Sequence, residues 1–246
     1  MRLDVITLFP EMLDALNYGV TGRAIKKGLV DFKVWNLRDF TEDSYQMADD
    51  RPYGGGPGML IMAKPLIKAI DAIKEISPLS KVVYLSPGGN PFTQRRARKL
   101  KEEKGIIFIA GRYEGIDERI IEKYIDEEIS LGDYVLSGGE LPAMVLIDSM
   151  IRLIPGVLNN FDSTEHESFE AGLLDYPSYT RPDDILGKEV PAVLKSGNHR
   201  QITIWRTKQA LIKTWLKRPD LLEKRKLTSE EQLIIEDFLK NEQKKI

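Results

Sequence analysis

The stretch Val82-Val83-Tyr84-Leu85-Ser86-Pro87-Gly88-Gly89-Asn90-Pro91 passes from short, apolar, β-branched residues directly into Gly and Pro. The same change recurs in Ile106-Ile107-Phe108-Ile109-Ala110-Gly111-Arg112-Tyr113-Glu114-Gly115 and in Glu128-Ile129-Ser130-Leu131-Gly132-Asp133-Tyr134-Val135-Leu136-Ser137-Gly138-Gly139-Glu140. Apolar runs of this length read as buried strands, here Val82–Ser86, Ile106–Ala110 and Glu128–Leu131. Thr93–Glu103 and Ile116–Tyr124, which lie between them, have helical spacing. Strands alternating with helices predict an α/β fold with a mostly parallel sheet. Working outward, Leu3–Phe9 and Phe32–Leu37 read as further strands, and Ala63–Ile76 as a helix. Leu141–Ile154 is a strongly apolar helix, with Pro142 in its first turn and Pro155 just beyond its end.

Open α/β sheets bind ligands outside the carboxyl ends of their strands. One Gly-bearing loop alone reads as a plain connection; three after consecutive strands predict a pocket built largely of main-chain groups, since Gly lets a backbone approach a ligand closely. No loop carries G-x-x-x-x-G-K-[ST], and no G-x-G-x-x-G follows the first strand. A pocket without a phosphate cradle suits an adenosine-type ligand that carries no phosphates.

The rhythm breaks from Asn159 to about Tyr179, a stretch of acids, Ser, Thr, Gly172 and Pro177 that reads as a linker. Beyond it no strand is expected, and Ile202–Leu216, Pro219–Leu222 and Ser229–Lys240 read as helices, the last opened by Thr228-Ser229-Glu230-Glu231. The expected organisation is an α/β domain over 1–160, a linker over 161–175 and a small all-α domain over 176–246. The net charge of −2 is unpromising for a nucleic-acid binder, but it is unevenly spread: Tyr176–Ile246 holds 15 Lys and Arg against 10 Asp and Glu. Such a basic part on an acidic body is either a footprint for a polyanion or a solvated, Lys-rich helical face. Cys is absent and His occurs only at 166 and 199, which argues against disulfides, thiolate metal sites and a His-rich zinc centre. No apolar run reaches the about 20 residues of a membrane span, and Met1-Arg2-Leu3-Asp4-Val5 places an acid where a signal peptide would want apolar residues, so a cytoplasmic location with no membrane partner is expected.

A fourth loop, Asp49-Asp50-Arg51-Pro52-Tyr53-Gly54-Gly55-Gly56-Pro57-Gly58-Met59, is too rich in Gly and Pro for regular structure and reads as a shaped surface loop bearing Arg51 and Tyr53, or as a mobile connector. Taken with Thr7-Leu8-Phe9-Pro10-Glu11-Met12, Gly111–Arg119, Gly132–Pro142 and Ser196-Gly197-Asn198-His199, this loop resembles the signature segments of the bacterial tRNA (guanine-N1)-methyltransferases, in the same order and over almost the whole chain.

The resemblance implies a fold of the SPOUT type, an α/β domain with a deep trefoil knot, and an obligate homodimer with active sites between the subunits. It implies a bent S-adenosylmethionine held by Tyr84, Leu85, Ser86, Pro87, Gly111, Gly115, Leu131, Gly132, Asp133, Tyr134, Val135 and Leu136, with Gly138 and Gly139 close by. It implies methyl transfer to N1 of the guanine immediately 3′ of the anticodon of tRNA. Because N1 carries a proton at neutral pH, transfer needs a base for that proton and charge stabilisation at O6. The family pattern places the O6 cation at Arg152, which also reads simply as a cation at a helix C-terminus. It places the base, an Asp in the family, where this chain has Glu167, with Asp162 and Glu165 as neighbouring competitors. Asp50 and Asp175 match further acidic positions for organising the substrate or a metal. The family is Mg²⁺-dependent, yet nothing in the sequence resembles a metal cage. His199, Arg200, Arg206, Lys208 and Lys213 are the candidates for phosphate contacts, His199 reading equally as a structural residue that caps the following helix; His166 reads as an ordinary linker residue.

Overall fold

A computed structural model describes residues 1–158 and 167–243, and the chain divides into two units, Met1–Asn159 and Asn160–Ile246. The first unit is built on five strands, β1 (Arg2–Thr7), β2 (Asp31–Asn36), β5 (Lys81–Pro91), β6 (Gly105–Ile109) and β7 (Glu127–Ser130). They form one sheet in the order β2-β1-β6-β5-β7, and every pairing in it is parallel. Side chains alternate across it as the pleat requires. Leu3, Val5, Val83, Leu85, Ile106 and Phe108 face one core with α1 (Gly19–Lys26), α3 (Gln94–Leu100) and α5 (Glu140–Ile151). Ile6, Val82, Tyr84, Ile107 and Ile109 face the other, with α2 (Ala63–Ile76) and α4 (Glu118–Tyr124). A parallel sheet covered on both faces explains why its strands read as continuous apolar runs.

Several boundaries follow from single residues. β1 stops at Thr7, two residues short of the expected end, because the Thr7 hydroxyl accepts the Phe9 N–H at 2.9 Å and Pro10 then opens a 3₁₀ helix over Pro10–Asn17. That helix and α1 were not read from the sequence. Asp117 caps α4 by accepting the Arg119 N–H at 2.9 Å. β5 runs on past the expected Ser86, pairing with β7 at Leu85 and again at Asn90, both against Ile129, so residues 86–89 bulge out between them.

The second unit is helical over Ala192–Lys195, His199–Lys217, Pro219–Glu223 and Ser229–Gln243. The expectation of a purely α unit needs one correction. β8 (Asp184–Ile185) and β9 (Lys188–Glu189) form an antiparallel hairpin. Its turn residues Leu186 and Gly187 have φ of 57° and 73°, the paired left-handed conformation that suits a two-residue hairpin. Leu at the first of these positions hides the turn from a sequence reading. The expected linker also changes meaning from residue 167 onward. Leu173 is buried with Ala210, Leu211, Leu222 and Ile235, so this stretch contributes to the second unit's core. Thr228 and Glu231 form a reciprocal capping box at the last helix, Glu231 N–H to the Thr228 hydroxyl at 3.2 Å and Thr228 N–H to the Glu231 carboxylate at 2.9 Å.

Candidate active site

The strand order places β5 between β6 and β7, both of which follow it in the chain. The chain therefore crosses from β5 to β6 on one side and then back past β5 to β7 on the other, and a crevice opens at the carboxyl ends of the three strands. Tyr84, Leu85, Ser86 and Pro87 line it from β5, Gly111 and Gly115 from the second loop, and Leu131, Gly132, Tyr134, Val135, Leu136, Gly138 and Gly139 from the third. Of the residues expected at this site, Asp133 alone falls outside the lining. A three-residue turn, with Tyr134 N–H donating to Gly132 O at 2.9 Å, leaves Asp133 exposed at its apex. The sequence reading did not single out Arg112, Tyr113, Glu114, Ile129, Ser130, Ser137 and Pro142, which complete the wall.

The loops meet at van der Waals limits. A Cβ at Gly111 would stand 2.9 Å from the Tyr84 ring. At Gly139, whose N–H donates to Gly111 O at 2.8 Å, a Cβ would stand 2.6 Å from Ala110 Cα. Burial, reinforced by the charge of Glu128, raises the Tyr84 hydroxyl above its ordinary pKa, so at neutral pH the ring is an uncharged floor.

Beneath the loops lies a fully buried carboxylate. Glu140, the first residue of α5, accepts a hydrogen bond from the Thr7 hydroxyl at 2.8 Å. Its other oxygen lies 2.9 Å from Arg112 Nε. That N–H is not aimed along the line, so the contact is an ion pair without an aligned hydrogen bond. Arg112 also donates to Ser137 O at 3.0 Å and lies 4.6 Å over the Phe9 ring.

The Gly-rich fourth loop is rooted beside the crevice. Asp50 ends β3 (Asp49–Asp50), which pairs with β4 (Leu60–Ile61). Glu114 N–H donates to Met59 O at 2.9 Å and Ile61 N–H to Gly115 O at 3.0 Å, stitching the loop's C-terminal end to the second crevice loop. Gly54, Gly55, Gly56 and Gly58 all adopt positive φ. Arg51 is exposed and Tyr53 fully so.

Arg152 is the half-buried C-cap of α5. In the second unit, Glu167 opens a turn closed by Glu170 N–H to Glu167 O at 3.3 Å, and it shares a cleft with Asp175, Tyr176, Thr203 and Arg206. Asp162, Glu165 and His166 lie outside the described residues. Asp175 accepts from Lys213 at 2.9 Å and from the Ser168 hydroxyl at 3.0 Å; the Lys213 bond above all holds its carboxyl below the usual range. Lys213 is thereby paired with Asp175 at the surface of the second unit. His199 and Arg200 are exposed in the first turn of His199–Lys217, but the capping side chain there is Asn198, which accepts the Gln201 N–H at 3.2 Å. Arg206 stacks over Tyr176 at 4.7 Å, and Lys208 is exposed. Among the described residues no three His, Cys, Asp or Glu are gathered as a metal site, and no helix is long and apolar enough to cross a membrane.

A parallel α/β sheet with a crevice at a topological switch point is the arrangement in which open α/β sheets hold their ligands. Residues 1–224 match the family model described as tRNA (Guanine-1)-methyltransferase TrmD. The chain is 55% identical over 244 residues to the tRNA (guanine-N(1)-)-methyltransferase of Aliivibrio fischeri strain MJ11, covering 98% of each chain. It is 56% identical over 240 residues to that of Methylococcus capsulatus, covering 97% of this chain and 96% of the relative. It is 54% identical over 242 residues to that of Vibrio cholerae strain N16961, covering 98% of both. The chain belongs to the tRNA (guanine-N1)-methyltransferase family and is a methyltransferase.

Proposed function

We propose that the protein transfers a methyl group from S-adenosylmethionine to N1 of the guanine immediately 3′ of the anticodon of tRNA. The observation that carries this reading is the crevice itself, where three Gly-bearing loops converge and present main-chain groups with apolar walls from Leu85, Pro87 and Pro142. These residues fit a nucleoside without phosphates. The donor supplies a methyl on a sulfonium and departs as a neutral thioether. What remains for the chain is positioning, proton removal and charge stabilisation. The Glu167 carboxylate takes the N1 proton, freeing the N1 pair for the incoming carbon. The Arg152 guanidinium stabilises the negative charge that develops on O6. Asp50, Arg51 and Tyr53 present the fourth loop to the RNA, and Asp175 orders the turn that carries Glu167. His199, Arg200, Arg206 and Lys208 contact phosphates and so position the RNA without choosing the base. Choice falls to the Watson–Crick edge of an extruded guanine. No step is assigned to Mg²⁺.

The α/β unit takes the SPOUT form with a deep trefoil knot. The close passage of the second and third loops, with Gly139 N–H on Gly111 O and an isolated bridge between Arg112 and Gly138, supports this. The enzyme is a cytoplasmic homodimer. Support comes from α5, which leaves the apolar Leu141 and Val145 exposed one turn apart. The reaction is tested with labelled S-adenosylmethionine and transcripts carrying guanine or adenine 3′ of the anticodon. Transfer to the guanine transcript only, reduced about 100-fold or more by Glu167→Gln, is expected. Full activity of the variant would move the base elsewhere in the linker. Transfer to neither transcript, despite tRNA binding, would overturn the function.

A further inference from the structure

Glu140 is fully buried and has no part in the chemistry above. Burying a carboxylate is costly unless close partners offset it, and an apolar side chain of similar size often serves stability better. What the carboxylate does here is join segments that are far apart in sequence. Thr7, its partner at 2.8 Å, is 133 residues away at the end of β1. Arg112, 2.9 Å from the other oxygen, belongs to the second crevice loop, and reaches the third through Ser137 O at 3.0 Å. Gly138 gives the arginine its path: a Cβ there would lie 2.3 Å from Arg112 Nε and 2.6 Å from Glu140 Oε2. Because α5 begins at Glu140, its N-terminal dipole adds to the attraction for the charge.

We propose that Glu140 is a positioning residue for the methyl donor, acting through Arg112 and Thr7 to hold the second and third loops at binding distance. The proposal rests on the reading of the crevice as the donor site. Its test uses the full chain with Glu140→Gln, which keeps the shape and the Thr7 bond but removes the charge facing Arg112. Thr7→Val removes the hydroxyl, and Thr7→Ser restores it.

Calorimetry with S-adenosylhomocysteine is expected to show affinity weakened between about tenfold and about 100-fold in Glu140→Gln. KM for the donor rises in parallel, while KM for tRNA and the pH profile of transfer at saturating donor stay as in the wild type. Thr7→Val shifts the same way by less, and Thr7→Ser returns to within about twofold of wild type. Donor affinity unchanged in both Glu140→Gln and Thr7→Val overturns the proposal, whatever happens to stability. So does an equal rise in both KM values. If Glu140→Gln does not fold, the Thr7 pair decides. Leu136→Trp, at a lining position outside this network, tests the crevice separately. Unchanged donor binding there removes the site reading, whereas lost binding there beside intact binding in both Glu140→Gln and Thr7→Val removes the proposal alone.

Discussion

Replacing Gly139 by Ala isolates the role of loop contact in the crevice. Gly139 has φ of −82°, a conformation open to any residue, so backbone strain contributes nothing. The added methyl would meet Ala110 Cα at 2.6 Å and Gly111 N at 2.8 Å. Carbon contacts are comfortable at about 3.5–4.0 Å, and both neighbours are backbone atoms that cannot rotate aside. The third loop must therefore retreat by roughly 1 Å, which stretches the 2.8 Å bond from Gly139 N–H to Gly111 O. Overpacking of this kind costs about 1–3 kcal/mol, and loss of the bond adds about 1 kcal/mol. A displacement of about 1 Å in one wall of a binding site is enough to cost about 100-fold in the function it supports. Gly88→Ala is the control: its only neighbour within 4 Å is the Ser86 hydroxyl at 3.5 Å, an ordinary contact. Urea unfolding and S-adenosylhomocysteine binding are measured on both variants. Gly139→Ala should lose stability and nearly all binding, and Gly88→Ala should lose neither. Wild-type stability and affinity in Gly139→Ala, or equal damage in Gly88→Ala, would refute the reasoning.

Other consequences can be checked with less effort. Thr214 is fully buried, accepts the Leu174 N–H at 2.8 Å and donates to Ala210 O, so Thr214→Val should destabilise the second unit by about 1–3 kcal/mol in a denaturant melt. The Arg119 guanidinium holds Asp117 down at about 2. A depressed folded-state value means this contribution to stability is complete above the ordinary aspartate pKa of about 4 and disappears as pH falls towards about 2. The stability gap between wild type and Asp117→Asn should therefore be constant at neutral pH and close across that acid window. Glu231→Ala removes one half of the capping box and the 2.7 Å partner of Arg225, and should lower helicity at the start of Ser229–Gln243 with a loss of about 1 kcal/mol or more.

How much of this was legible in the sequence varies with the kind of interaction. The strand runs and the helix Ala63–Ile76 could be read directly, because the pleat and the helical turn impose their periods on which side chains are buried. The three Gly-bearing loops announced themselves because only Gly tolerates backbone at the distances found at Gly111 and Gly139. Of the residues that the family resemblance implies for the donor, all but Asp133 line the crevice, and Asp133 stands exposed at the apex of a three-residue turn. Periodicity says which face of a strand is covered, but not which strand stands beside it. The order β2-β1-β6-β5-β7, which gathers the three loops, is therefore a property of the folded sheet alone. The same is true of the buried Glu140. In the sequence it is one acid at the start of a helix; its meeting with Thr7 and Arg112 exists only once β1, β6 and α5 have packed, because a charge finds its buried partner through space and not along the chain.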